Sequence, residues 1–128
     1  MQQPAFQRPG ATQGPGHLSR LERTVLVAML EADGDEFATL RAQLARATVV
    51  SRTHSGVGFV TRIAVPDDLP ALSDVASPRL RPVLAAHPQL AERAEFLLQL
   101  RGGRLGVLEA YCYAGGWPAD EADFQVVV

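Results

Sequence analysis

The amino-acid sequence predicts a small α+β domain in which an N-terminal helical hairpin packs on a mostly antiparallel sheet of four or five strands. Three observations lead to this prediction. Two amphipathic helical patterns lie near the N-terminus, short β-prone segments follow them, and a Gly102-Gly103 pair separates two apolar runs. At 128 residues the chain is long enough for one core and leaves little room for a second domain.

Composition and charge narrow the class of protein. Hydrophobic residues make up 47% of the chain and charged residues 20%, values near the globular average that argue against wholesale disorder. The formal net charge of −2 argues against a nucleic-acid partner, since such binding neutralises many phosphates with basic groups. All 12 basic residues are arginine, a coding bias that predicts a bacterial source.

The cysteine and histidine content bears on compartment and cofactors. A single cysteine, Cys112, cannot form an internal disulfide, which fits a reducing compartment. The first residues lack the apolar core of a signal peptide, and no apolar run reaches membrane-spanning length. We therefore expect a cytoplasmic protein that does not bind a membrane. The three histidines are scattered without metal-ligand spacing, so neither a metal nor another cofactor is expected.

Two helices are predicted after a flexible tail. Residues 1–17 are rich in Gln, Pro and Gly and form the expected tail, which leaves 18–128 as a single domain. Ser19 and Glu22 have the spacing of a capping box, and apolar residues then recur at helical intervals. The second helix is expected over about residues 36–47, with Asp35 as its N-cap. Each is amphipathic and needs a partner surface.

That surface is expected to be the sheet. Strands are predicted over residues 48–53, 57–65, 95–101, 104–113 and 124–128. Residues 66–88 contain five prolines and are expected to form a long irregular connection, with a short strand near 81–86. Residues 88–93 are expected to form one helical turn before the hairpin.

The hairpin around Gly102-Gly103 gives the sharpest prediction about side chains. Pairing outward from a two-residue turn sets Leu100 opposite Leu105, Leu98 opposite Val107 and Phe96 opposite Glu109. This register places the carboxylate of Glu109 on an otherwise apolar face. An unpaired acid there is costly or has its pKa raised, which makes Glu109 the leading candidate for a functional residue.

Glu109 has two interpretations. As a functional group it would act as a general acid or base, or accept a cationic ligand, in a pocket with Phe59, Thr61, Tyr111 and Trp117. As a structural group it would be satisfied by an arginine, by Tyr111 or by backbone amides, which is the commoner outcome for a polar group in a core.

Three other residues are weighed in the same way. His54 lies beside Ser55, but no third member of a catalytic triad is nearby in sequence, so a turn residue is favoured. Cys112 is interpreted as a buried, inert thiol. Trp117 is expected to close over an edge of the sheet rather than to form a binding hot spot.

Two motifs resemble those of a group of small bacterial proteins that have no established activity. The patterns are Gly-x-Gly-Phe-x-Thr and a Gly-Arg-Leu-x-x-Leu-Glu-Gly-Tyr-like strand that ends in Trp-Pro. The matching residues are Gly56, Gly58, Phe59, Thr61, Gly103, Arg104, Leu105, Leu108, Glu109, Tyr111, Trp117 and Pro118. Ala110 stands where the group has glycine. The resemblance implies that Glu109, Phe59 and Thr61 belong to one recurring arrangement, and it assigns no catalytic residue.

Two functions remain open at this level. The favoured one is a non-catalytic protein-interaction, accessory or immunity-type factor that binds another protein, because no nucleophile, metal or phosphate motif is assembled in the sequence. The alternative is a small enzyme or ligand-binding protein with its pocket around Glu109. The oligomeric state does not follow from the sequence.

Overall fold

The computed structural model of the chain describes residues 12–73 and 78–127, which form two helices and a seven-stranded sheet. The strands are β1 (Thr12–Gln13), β2 (Thr48–His54), β3 (Gly58–Ala64), β4 (Val83–Ala86), β5 (Ala94–Arg101), β6 (Arg104–Tyr111) and β7 (Gln125–Val127). The helices are α1 (Arg20–Met29) and α2 (Asp35–Leu44), and a single 3-10 turn covers Glu121–Asp123.

The sheet is antiparallel throughout, with the strand order β1-β2-β3-β6-β5-β4-β7. The α+β prediction is therefore confirmed, whereas the prediction of four or five strands is wrong. The strand without a sequence signal is β1, whose two residues lie in the segment expected to be a tail. It is held by pairing of Thr12 with Thr53 and by a bridge between Gly16 and Val49. The remainder of the predicted tail, residues 1–11, lies outside the described residues.

The helical pair follows β1 rather than opening the fold. At its start, the Ser19 hydroxyl accepts from the Glu22 backbone N–H at 3.0 Å, and the Glu22 carboxylate accepts from the Ser19 N–H at 2.7 Å. The predicted capping box is thus confirmed. The Arg41 guanidinium on α2 donates to the carbonyls of Leu30 and Ala32 at 2.8 Å each, which satisfies acceptors left free at the end of α1. The helix α2 ends at Leu44, three residues earlier than expected.

Both helices pack on the same face of the sheet, and we call this the inner face. The largest fully buried side chains come from the helical segment and from the central strands. They include Phe59, Phe96, Leu26, Leu30, Leu40 and Leu108. Apart from Gly58, the residues that point from the central strands to the opposite, outer face are exposed or half-buried. None of the described helices is long and apolar enough to cross a membrane.

The hairpin of β5 and β6 departs from the predicted register. Gly102 and Gly103 form the turn with positive φ angles of 58° and 75°, and Leu100 pairs with Leu105 as expected. A β-bulge then leaves Gly106 as an extra residue in β6.

Beyond the bulge every pair differs from the prediction. Phe96 pairs with Ala110 rather than with Glu109, which instead pairs with Leu97. Since side chains alternate along a strand, this one-residue shift turns Glu109 to the outer face, where it is exposed. The expectation of an acid on the apolar face is therefore wrong.

The connection between β3 and β4 is attached to the hairpin turn along its first part. The amide nitrogen of Gln43 donates to the carbonyls of Pro70 at 2.9 Å and Gly103 at 3.1 Å, and its oxygen accepts from the Leu105 N–H at 2.9 Å. The Leu72 N–H also donates to the Gly103 carbonyl at 2.9 Å. One buried amide thus ties α2, this connection and the hairpin together. Residues 74–77 lie outside the described residues, β4 forms near its expected position, and the segment 88–93 forms turns rather than a helix.

Candidate functional site

The five residues predicted to form a pocket lie on two sides of the sheet. Phe59 and Thr61 alternate on the inner face of β3 and are buried, and Trp117 packs against the same core. Glu109 and Tyr111 alternate on the outer face of β6. The sheet itself separates the two sets, so they do not line a common cavity.

Trp117 closes one end of the core. Its ring lies 5.5 Å from Phe59 and 6.0 Å from Phe96, centroid to centroid, both in edge-to-face geometry. Its indole N–H donates to the Glu121 carboxylate at 2.8 Å, and its backbone N–H donates to the Gly56 carbonyl at 2.8 Å. These contacts match the structural interpretation of Trp117, since they fix the loop after β6 over the sheet.

Thr61 belongs to a buried polar network that sequence reasoning did not find. Its hydroxyl donates to the carboxylate of Glu22, which is fully buried on α1. The Arg52 guanidinium on β2 donates to both oxygens of the same carboxylate, from Nε at 2.8 Å and from Nη2. With the capping bond from Ser19, the carboxylate accepts four hydrogen bonds.

The network keeps Glu22 charged. Burial raises the pKa of Glu22, but hydrogen bonds from Arg52, Thr61 and Ser19 outweigh it, and the pKa lies below its ordinary value. The pKa of Arg52 is raised, chiefly because its guanidinium donates a hydrogen bond to Glu22. A signal was present in the sequence, because Glu22 falls within the apolar stripe of α1, between Leu21 and Val25.

His54, Cys112 and His87 are all buried. His54 is buried at the end of β2, 6.1 Å from the Phe59 ring, and its Nε2 has no hydrogen-bond partner among the described residues. Burial, and then the charge of Arg52, lower the pKa of His54. Burial raises the pKa of the Cys112 thiol, which disfavours the thiolate. His87 accepts from the Gln89 N–H and donates to the Asp120 carbonyl, so it joins two loops.

A groove of about 370 Å³ opens between α1 and the C-terminal segment. It is lined by Ser19, Arg20, Leu21, Thr24, Glu121, Ala122, Phe124 and Val126. Burial raises the pKa of Glu121, and the hydrogen bond from Trp117 only partly offsets this. The groove therefore contains one carboxyl group, which already bonds Trp117, between walls that are half polar and half apolar.

The outer face carries an exposed constellation that we call the acidic patch, defined as Glu95, Glu109, Tyr111 and Tyr113. Glu95 on β5 pairs directly with Tyr111 on β6, and Glu109 lies two residues before Tyr111 on the same face. The hydroxyls of Tyr111 and Tyr113 both donate to Oε2 of Glu95, the latter at 2.5 Å. The two phenol rings lie 5.3 Å apart in edge-to-face geometry.

The acidic patch combines a fixed negative charge with aromatic rings. Hydrogen bonds from Tyr111 and Tyr113 lower the pKa of Glu95, so its carboxylate stays ionised. The bond to Glu95 in turn raises the pKa of Tyr111, so the phenol stays neutral and continues to donate. Carboxylates beside phenol rings attract ammonium and guanidinium groups by charge and by cation–π interaction.

Within residues 12–73 and 78–127, no three His, Cys, Asp or Glu side chains are grouped as metal ligands would be. Comparisons of the chain with family models, with curated proteins and with solved structures found no match. The resemblance to a group of small bacterial proteins therefore stays a prediction. The properties of the site rest on its own geometry.

Proposed function

We propose that this chain is a non-catalytic protein-interaction factor, of accessory or immunity type, whose acidic patch receives a cationic side chain of the partner protein. One observation carries the proposal. Two tyrosine hydroxyls converge on one carboxylate oxygen of Glu95 on an exposed face of the sheet. Tyrosine is one of the residues enriched in binding hot spots.

The patch is organised before a partner arrives. The bonds from Tyr111 and Tyr113 hold both rings around the Glu95 carboxylate, so little side-chain entropy remains to be lost on binding. Glu109 adds a second negative charge at a diagonal position on the neighbouring strand. A guanidinium group placed here would contact the carboxylates and the face of a ring together.

Apolar side chains surround the patch. Val60 on β3 and Leu97 on β5 pair with Glu109 from either side, and Val60 keeps 37% of its surface exposed. Protein–protein interfaces usually combine an apolar centre with a polar rim, and the patch and its apolar neighbours supply both kinds of group. The partner that fits is therefore a protein segment with an arginine or lysine flanked by apolar residues.

The alternative function is a catalytic or ligand pocket around Glu109. It depended on the predicted register of the hairpin, which is wrong. Glu109 is exposed on the outer face, whereas Phe59, Thr61 and Trp117 pack on the inner face. Glu109 and these three residues therefore do not share a cavity, as a catalytic or ligand pocket around Glu109 requires.

The test uses short peptides with one arginine between two leucines, titrated into the isotopically labelled chain and followed by amide chemical shifts. We expect shifts at the acidic patch and saturable binding. The same peptide with glutamine in place of arginine should bind at least about tenfold more weakly, since the charged contact is lost.

Matched variants separate the patch from general electrostatics. Glu95→Gln should reduce binding by a similar factor, whereas Glu31→Gln, at an exposed position following α1, changes the net charge equally and should leave binding unchanged. Equal losses in the two variants, or shifts that map to the helices, would refute the proposal.

A further inference from the structure

The outer face of the sheet has opposite charges at its two ends. The acidic patch occupies one end, where Glu95 pairs with Tyr111. At the other end of the same two strands Arg101 pairs with Arg104, and Arg62 on β3 lies in the row between, opposite Val107. Glu95 and Arg101 are separated by six positions on β5, which corresponds to about 20 Å along an extended strand.

This arrangement is complementary to itself. A two-fold axis that lies in the plane of contact and runs across the strands places each strand over its own copy in the reverse direction. The row with Glu95 then lies over the row with Arg101 of the second copy. The row with Glu109 likewise lies over the row with Arg62 of the second copy, in which the long Arg62 side chain starts one strand, about 4.8 Å, to the side of Glu109. A two-fold axis along the strands would instead place the acidic end of one copy over the acidic end of the other.

We propose that the partner received by the acidic patch is a second copy of this chain, and that the two sheets pack outer face to outer face as a symmetric dimer. The inference rests on the function proposed above, and it names Arg101 and Arg62 as the cationic groups. Both arginines are exposed, so each is accessible to the opposite copy.

Apolar side chains fill the space between the two charged ends. Val60, Leu97 and Val107 occupy the middle rows of the outer face, and Leu84 continues the apolar surface towards the edge. Five strands at about 4.8 Å spacing and about 20 Å length give a flat area on the order of 400 to 500 Å² per copy. This projected area is smaller than the roughly 800 Å² per partner of a standard interface, so a weak, concentration-dependent dimer is expected.

The experiment measures self-association by sedimentation equilibrium and uses two charge reversals. In the proposed dimer Glu109→Arg sets arginine against Arg62 of the second copy, and Arg62→Glu sets glutamate against Glu109. Each variant alone should therefore dissociate at least about tenfold more readily than the natural chain, because like charges meet twice in a symmetric interface.

Mixing the two variants is the decisive step. In a mixed dimer both contacts join opposite charges again, so an equimolar mixture should associate more tightly than either variant alone. The double variant Arg62→Glu/Glu109→Arg should also recover association. The reversals Arg23→Glu and Glu31→Arg, on the helical side, should change nothing, and circular dichroism should confirm that every variant is folded.

The outcomes separate this inference from the function on which it rests. A natural chain that stays monomeric at high concentration, yet binds the arginine peptide through Glu95, overturns the dimer and leaves the proposed function standing. A dimer that persists in both single variants, or a mixture that does not associate, also overturns the inference. Binding of the arginine peptide in competition with self-association supports both proposals.

Discussion

At the scale of single residues, Glu22 is the acid that the fold has to accommodate. A fully buried carboxylate is tolerated because Arg52, Thr61 and Ser19 all donate to it. The network also joins three elements, since these partners come from β2, β3 and the cap of α1. It therefore fixes the rotation of α1 on the sheet as well as satisfying a charge.

Removing either Glu22 or Arg52 alone should destabilise the fold far more than removing both. We expect Glu22→Ala to lower the free energy of unfolding by about 3 to 5 kcal/mol, because it leaves a partly buried Arg52 uncompensated. The double change Glu22→Leu/Arg52→Leu should recover much of this loss, since apolar side chains replace both charges. Urea denaturation of the natural chain, Glu22→Leu, Arg52→Leu and the double variant measures the coupling.

An exposed ion pair provides the control for this cycle. Arg46 and Asp68 lie 3.0 Å apart with more than half of each side chain exposed. Asp68→Ala should leave the Tm nearly unchanged, because solvent screens such pairs. Additive losses for Glu22 and Arg52 would show that the two residues stabilise the fold independently.

His54 should make the stability of the protein depend on pH. Its folded-state pKa lies below the ordinary value of 6.5, so the unfolded chain binds the proton more readily. The stabilisation is therefore present above pH 6.5 and is lost as the pH falls from 6.5 towards the lower folded-state pKa. His54→Phe, which keeps an aromatic ring beside Phe59, should flatten the dependence of Tm on pH in this range.

The exposed His17 gives the matched control for that measurement. His17→Gln, measured in parallel, shows how much of the change in slope is specific to His54. An unchanged slope in His54→Phe would mean that other groups dominate the titration.

At the scale of elements, the hairpin shows what the sequence could and could not predict. The Gly102-Gly103 turn, both strands and the pairing of Leu100 with Leu105 follow from local chemistry, and the structure has them all. The bulge at Gly106 does not follow, because two alternating apolar sets in β6 compete for the inner face. Tertiary packing selects the set with Leu108 and Ala110 and turns Glu109 outward.

The same limit applies to the candidate site. Thr61 and Glu22 are separated by 39 positions, and their contact depends on how α1 lies across the sheet. Local patterns placed each residue in its correct element but carried no information on that packing. The acidic patch could not be predicted for the same reason. Its residues share a face only because the bulge at Gly106 shifts the register of the hairpin.

Gly58 tests whether β3 and β6 must approach closely at the edge of the patch. A Cβ at this position would overlap the carbonyl oxygen of Ala110 and lie 2.7 Å from its carbonyl carbon. We expect Gly58→Ala to destabilise the protein by at least about 2 kcal/mol, since the obstacle is backbone and cannot rotate away. Gly14→Ala, with no atom within 4 Å of the added methyl group, should be nearly neutral in thermal unfolding.

At the scale of the whole molecule, the sheet has a buried inner face and an outer face that we propose for binding. The inner face supplies the core with both helices, and the aromatic rings of Phe59, Phe96, Trp117 and Phe124 close one end of it. The outer face carries the acidic patch and its apolar neighbours. Stability and binding are therefore expected to depend on alternate residues of the same strands.

Phe96 and Leu97, adjacent on β5, separate these two roles. Phe96 is completely buried on the inner face, so Phe96→Ala should cost about 3 to 5 kcal/mol of unfolding free energy. Leu97 is half-buried on the outer face, and Leu97→Ala should cost about 1 kcal/mol or less of unfolding free energy.

For association the order of the two effects should reverse. Leu97→Ala should weaken both peptide binding and self-association, whereas Phe96→Ala should retain both under conditions in which it stays folded. Urea denaturation and sedimentation equilibrium on the same samples give the two measurements, and a parallel loss in both would contradict the division of roles between the faces.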